Sequence, residues 1–265
     1  MTSSALELRH VIRRGDYTGL TTGRAPGHVQ ANLVVLPQRH VDDFIAFCNL
    51  NAFACPVLGV GTVGSPNIPA LGTDLDVRTD LPGYHIHRPG LAPEEVTDIS
   101  DVWRDDLVVV AIGCWFSMED ALLKAGVRLR HVELGIQGPL FTTKVEMRGR
   151  GVFGGPLVVS MRPFAKESVP TVREVTRRFS RVHGGPIHMG DPATLGISNI
   201  AAPDFGEVLN PLPGEIPMYW GCGLTATVAL QKSGIDFFIT HAPGKMLVTD
   251  RLNDSLETEP ESTFA

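Results

Sequence analysis

A chain of 265 residues with 43% apolar and 20% charged side chains can build one large domain or two modest ones around a real core, which excludes disorder for its bulk. Its net charge of −6, from 23 basic and 29 acidic residues, provides no basic field for nucleic acid or for an acidic membrane surface. The longest uncharged apolar-rich run, Leu107 to Met118, falls short of a membrane helix, and residues 1–4 carry no secretion signal, so the expected location is the cytoplasm.

In chain order, the run from Gln30 to Leu36 reads as a strand ended by Pro37. A helix follows, with Asp42 and Asp43 in its first turn and Phe44, Phe47, Cys48 and Leu50 at helical spacing. Residues Cys55 to Leu58 resume an extended path. Residues 59–64 spell GxGxxG, but Pro66 and Pro69 stand where a dinucleotide fold needs a helix, which argues against a nicotinamide or flavin site. Residues 65–105 read as surface loops and a hairpin around the short strand Tyr84 to His87, whose two histidines share one strand face. A strand (Leu107 to Ile112), a Gly113-Cys114 loop and a helix (Met118 to Ala125) stopped by Gly126 come next. Strands over 140–147 and 156–162 and a helix carrying Val169, Val172, Val175 and Phe179 predict a small inserted two-layer α+β unit over 127–190. The remainder, 1–126 with 191–253, forms the main α/β domain, and the acidic stretch 254–265 is expected to be disordered.

Shifted by 108 residues, Gly113 to Gly126 matches Gly221 to Gly234 at six of fourteen positions without a gap. Each copy predicts a strand running into Gly-Cys, a hydroxyl residue (Ser117, Thr225) at a helix N-cap three positions on, and a glycine stop. Cys114 and Cys222 thereby stand before helix N-termini, where the dipole favours anions and lowers a thiol's pKa. Two such units facing each other would grip a small dicarboxylate, although buried free cysteines also serve as small hydrophobes at tight turns. With no CxxC pair among the four cysteines, free thiols fit better than disulfides or a zinc knuckle.

Two further polar clusters follow strands. One holds His183, His188 and Asp191 in a Gly-rich loop; the other holds His241, Lys245 and Asp250 after a strand at Asp236 to Ile239. Loops at strand ends carry sites in open α/β sheets, so His188 or His241 can act as acid or base. No cofactor is evident. His183, His188, Asp191 and His241 are acceptable ligand types for a divalent metal, but their spacing matches no metal signature. Arg78, between Asp76 and Asp80, can clamp a carboxylate or form a structural ion pair.

Together, Gly23 to Asn32, Asp76 to Pro82, Trp103 to Asp106, Gly113-Cys114 with Phe116-Ser117, Gly155 to Pro163, Val182 to Pro192 and Thr240 to Asp250 resemble the bacterial hydro-lyase family related to D-glutamate cyclase. The resemblance runs from about residue 9 to 252. It implies a three-layer α/β domain with a second two-layer α+β domain, and a lyase that cyclises D-glutamate to 5-oxo-D-proline with loss of water. The last family motif reads His-Ala-Pro-Gly-His-Met; here Lys245 replaces the second histidine, leaving a cationic anchor instead of a second metal ligand. On this reading His241 or His188 is the base and Asp250 or Asp191 orients it; Cys114 can alternatively attack the substrate to form a thioester, and Cys222 is the second candidate thiol. Asn32, Arg78, Ser117, Thr225 and Lys245 are the substrate-binding candidates. Two rivals are a cofactor-independent racemase using both cysteines and a non-enzymatic binder of a small dicarboxylate. The expected partner is a small acidic metabolite, and a homodimer is the base-rate assembly.

Overall fold

The computed structural model describes residues 4–257. Its elements are α1 (Ala5–Arg13), β1 (His28–Pro37), α2 (Val41–Leu50), β2 (Val57–Val60), β3 (Tyr84–His87), β4 (Glu94–Val96), β5 (Leu107–Gly113), α3 (Glu119–Lys124) and α4 (Arg130–Leu134). These are followed by β6 (Leu140–Glu146), β7 (Pro156–Ala165), α5 (Val169–Arg177), β8 (His188–Met189), β9 (Glu215–Gly221), α6 (Leu224–Lys232), β10 (Phe238–His241) and β11 (Leu247–Leu252).

The chain mixes helix with two sheets. One sheet runs β2-β5-β1-β10-β3-β4, with β11 also paired to β1; the other runs β6-β7-β9-β8. Every ladder between these strands is antiparallel, so the rule that places sites at the carboxyl ends of parallel strands does not apply. β1 and β5 are buried on both faces, as their near-continuous apolar sequences require. Val29, Ala31, Leu33, Val109 and Ala111 join one apolar cluster, while Val34, Leu36, Val108, Val110 and Ile112 join a second on the opposite face.

Several expected boundaries shift. The second sheet does not stop at residue 190, because β9 pairs with β7 from Glu215 to Gly221 and the two form its centre. Residues 65–105 are loop-rich and hold the expected hairpin, β3 against β4, but they do not stay on the surface: Ile68, Leu71, Leu75, Val77, Leu81 and Ile99 are buried in the first cluster without regular periodicity. Residues 253–256 form a 3-10 turn that buries Leu256, so only the part of the acidic stretch after 257 lies outside the described residues. The Gly59 to Gly64 run forms an edge strand and turn, where Gly64 adopts a left-handed φ of 75° and its carbonyl accepts from Trp103 Nε1 at 2.9 Å. No helix among the described residues is long and apolar enough to cross a membrane.

Candidate functional site

β5 and β9 deliver Cys114 and Cys222 to one cavity. Its lining also includes Asn32 from β1, Ser160 and Arg162 from β7, Trp115, His183, Gln137 and Met246. The enclosed volume is about 30 Å³, room for one or two water molecules. Register explains the convergence. Asn32 stands opposite Ile112 and Ser160 opposite Trp220, so each partner strand presents a polar side chain one position before a Gly-Cys corner.

The hydroxyls three residues after the cysteines do not cap helices. Ser117 Oγ accepts from Gln30 N–H at 2.9 Å and donates to Gln30 O at 3.1 Å. Thr225 Oγ1 accepts from Val158 N–H at 3.0 Å and donates to Val158 O at 3.2 Å. Both are buried and fully used in tying a corner to its neighbouring strand, so neither is free to bind substrate. A 3-10 turn, Trp115–Met118, separates Cys114 from α3, which removes the expected α-helix N-terminus at that sulfur.

The expected low-pKa thiolates are also corrected. The Phe116 and Leu224 N–H groups favour ionised Cys114 and Cys222 respectively, but burial outweighs them and pushes both thiols up. At neutral pH the cavity therefore holds two S–H groups.

Arg162 is the cavity's charge. It is 2% exposed, donates from one Nη to Met161 O at 2.8 Å and from the other to Gln137 O at 2.7 Å, and lies over the Trp115 ring at 5.1 Å. Burial lowers its pKa to about 10, with Glu119 partly offsetting the effect, so it stays cationic at pH 7. No carboxylate among the described residues contacts it. Glu119 is committed to Thr22 Oγ1 at 2.9 Å, Gly23 N–H at 3.1 Å and His131 Nε2 at 3.0 Å. Gly138, at φ 83°, makes room for the guanidinium, since a Cβ there would meet one Nη at 2.9 Å.

His183 carries the one left-handed φ (94°) of any non-glycine among the described residues, a conformation whose strain marks functional positions. Its Nδ1 lies 3.1 Å from Phe53 O, and that carbonyl fixes the ring proton there when the imidazole is neutral. Burial pushes its pKa down to about 4, so it is neutral at pH 7.

Of the residues expected from sequence, Cys114, Cys222 and Asn32 reach the cavity, Asn32 donating to Gly113 O at 2.8 Å. The others do not line it. His241 belongs to β10 rather than the loop after it, where its Nδ1 accepts from Leu33 N–H at 3.2 Å. His188 pairs in β8 and places Nε2 2.7 Å from Asp191 O, while Asp191 caps the turn at Ala193. Asp250 pairs with Arg9 at 2.7 Å, Arg78 with Asp76 at 2.7 Å and Lys245 with Glu95 at 2.6 Å, so each is a structural ion pair. Among the described residues no three His, Cys, Asp or Glu side chains gather to hold a metal. The sequence reading missed Arg162, Ser160 and Trp115; a single charge inside the apolar run Pro156 to Phe164 was the available signal for the arginine.

A family model described as D-glutamate cyclase matches residues 108–250, more than half of the chain. A Pseudomonas aeruginosa protein named "Putative hydro-lyase" is 49% identical over 94% of this chain and 94% of its own length. Relatives bearing the same name occur in Paraburkholderia phymatum, at 47% identity over 94% of this chain and 97% of theirs, and in Jannaschia sp., at 45% over 96% of both. Among solved structures, a nitrogen repressor-like protein from Methanococcus jannaschii covers 93% of this chain and 98% of its own, at 12% identity and a TM-score of 0.37.

Proposed function

Because the chain belongs to the D-glutamate cyclase family, we propose that it is a lyase that cyclises D-glutamate to 5-oxo-D-proline with loss of water. The observation that carries this reading is the meeting of Cys114 and Cys222, the matching ends of two like segments, in one cavity with a buried guanidinium. The shared Gly-Cys corners and their matching hydroxyl bonds support an internal repeat whose two halves wall the site.

The reaction needs no co-reactant. The substrate's ammonium loses a proton, its nitrogen bonds to the γ-carboxyl carbon, and one γ-oxygen leaves as water with the two protons the nitrogen gives up. His183 is the neutral base on the cavity wall, suited to accept the first proton and return it to the departing oxygen. A bound dicarboxylate beside the ring favours its cation and raises its pKa toward the working range. Two protonated thiols furnish weak donors and a small, soft surface in place of a nucleophile. The cavity is smaller than any acidic amino acid, so Gln137 and Met246, both on loops, must yield on entry.

The test is incubation with D-glutamate in heavy water, followed by mass analysis. The expected product is 5-oxoproline, one water lighter than the substrate, without deuterium at Cα. Absence of that product sinks the reading. Deuterium at Cα would favour the racemase alternative, whose support is the pair of thiols. Cys114→Ala is expected to retain turnover within about tenfold, whereas a loss of about a thousandfold or more would restore the thioester route.

A further inference from the structure

We propose that Arg162 is the carboxylate anchor of this cavity, its Nε–H joining Trp115 Nε1–H and Ser160 Oγ–H in a donor pocket that receives one carboxylate of an acidic amino acid. The assignment rests on the reading of an acidic substrate given above. Three buried side-chain atoms without a hydrogen-bond partner, Arg162 Nε, Trp115 Nε1 and Ser160 Oγ, belong to residues that line the same cavity. Two of them can only donate, and the third donates through a free rotor. A buried donor left without an acceptor has lost its water and gained nothing in return, so a pocket rich in such donors is stabilised by an acceptor.

The charge argument points the same way. A guanidinium at 2% exposure that no carboxylate among the described residues contacts carries a desolvation cost that an incoming anion offsets. The seat is built to hold it still: Met161 O and Gln137 O take the two Nη groups, Gly138 opens the space beside them, and Trp115 stacks beneath. Those bonds leave Nε as the unsatisfied edge. Planar guanidinium and planar carboxylate match in geometry, which makes a lysine an inferior replacement.

The experiment is calorimetric titration of the intact chain with D-glutamate and with acetate as the minimal carboxylate, beside steady-state kinetics. Wild type is expected to bind both. Arg162→Met should weaken D-glutamate binding about a hundredfold, and Arg162→Lys about tenfold, with the loss in KM more than in kcat. If Arg162→Met fails to fold by circular dichroism, Ser160→Ala and Trp115→Phe keep the cation and remove one neighbouring donor each. Each of these two should then weaken binding about three- to tenfold. A folded Arg162→Met protein that binds within threefold of wild type overturns the anchor, as do unchanged affinities in both donor variants or a wild type that binds neither probe. Arg162-dependent binding without release of 5-oxoproline supports the anchor and removes the reaction. Equal turnover by Arg162→Met removes the anchor and keeps the reaction.

Discussion

The two Gly-Cys corners share a scaffold and differ in chemistry. At the first, a Cβ on Gly113 would lie 2.7 Å from Arg181 O; at the second, a Cβ on Gly221 would lie 2.7 Å from Phe53 O. Each glycine is therefore required by the backbone of another segment packed against it, and each hydroxyl three residues after a cysteine is bound to a neighbouring strand. Beyond the cysteines the corners part. Trp115 follows Cys114, whereas Gly223 follows Cys222 because the Asn32 amide occupies the place its Cβ would need. The polar groups that distinguish the cavity, Asn32, Ser160 and Arg162, come from the partner strands β1 and β7. The shared spacing goes with shared backbone packing, and the polar groups that distinguish the cavity lie on the strands opposite it.

Acid should break the comparison most severely. His183, between the two corners, and His87 and His241 in the first sheet are all pushed down to about 4 by burial. The unfolded chain binds these protons first, near pH 6.5, so the stability contributed is fully present above that value and is lost as pH falls toward 4. Lowering the pH from 6.5 to 5 should cost roughly 2 kcal/mol per histidine, read as a fall in urea midpoint. His183→Asn should flatten the slope by one proton. Next in size, Gly113→Ala and Gly221→Ala should each destabilise by roughly 3 kcal/mol, and a large inequality between them in thermal melts would show that the corners are not equivalent. Ser117→Ala and Thr225→Val should each cost about 1–2 kcal/mol, with Gln30 or Val158 left with an unpaired buried N–H. The smallest effect separates the thiols. Cys222, half-buried, should react with iodoacetamide faster than buried Cys114, and both more slowly than free cysteine at pH 8.

Much of the strand order along the chain was legible because β1, β5 and β7 are long apolar runs bounded by proline or glycine. The pairing direction was not, since an apolar run buried on both faces reads alike in parallel and antiparallel sheets. His241 was misplaced because β10 lies two residues later than the apolar pattern suggested, which moves the ring from a loop into a ladder. Asp250, Arg78 and Lys245 carry the residue types of a site, yet their partners Arg9, Asp76 and Glu95 satisfy them; the Arg9 and Glu95 contacts depend on long-range packing. The cysteines were legible through the matching Gly-Cys spacing of two sequence segments. Their ionisation was not, because burial is a property of the finished fold and here exceeds the pull of the local N–H groups.

β1 holds β5 along one edge and β10 with β11 along the other, so its last neighbours are encoded more than 200 residues after it. During synthesis that open edge has no mate until nearly the whole chain has left the ribosome. The nascent protein therefore carries an unpaired strand edge through most of its own translation, which predicts late closure of this sheet during folding.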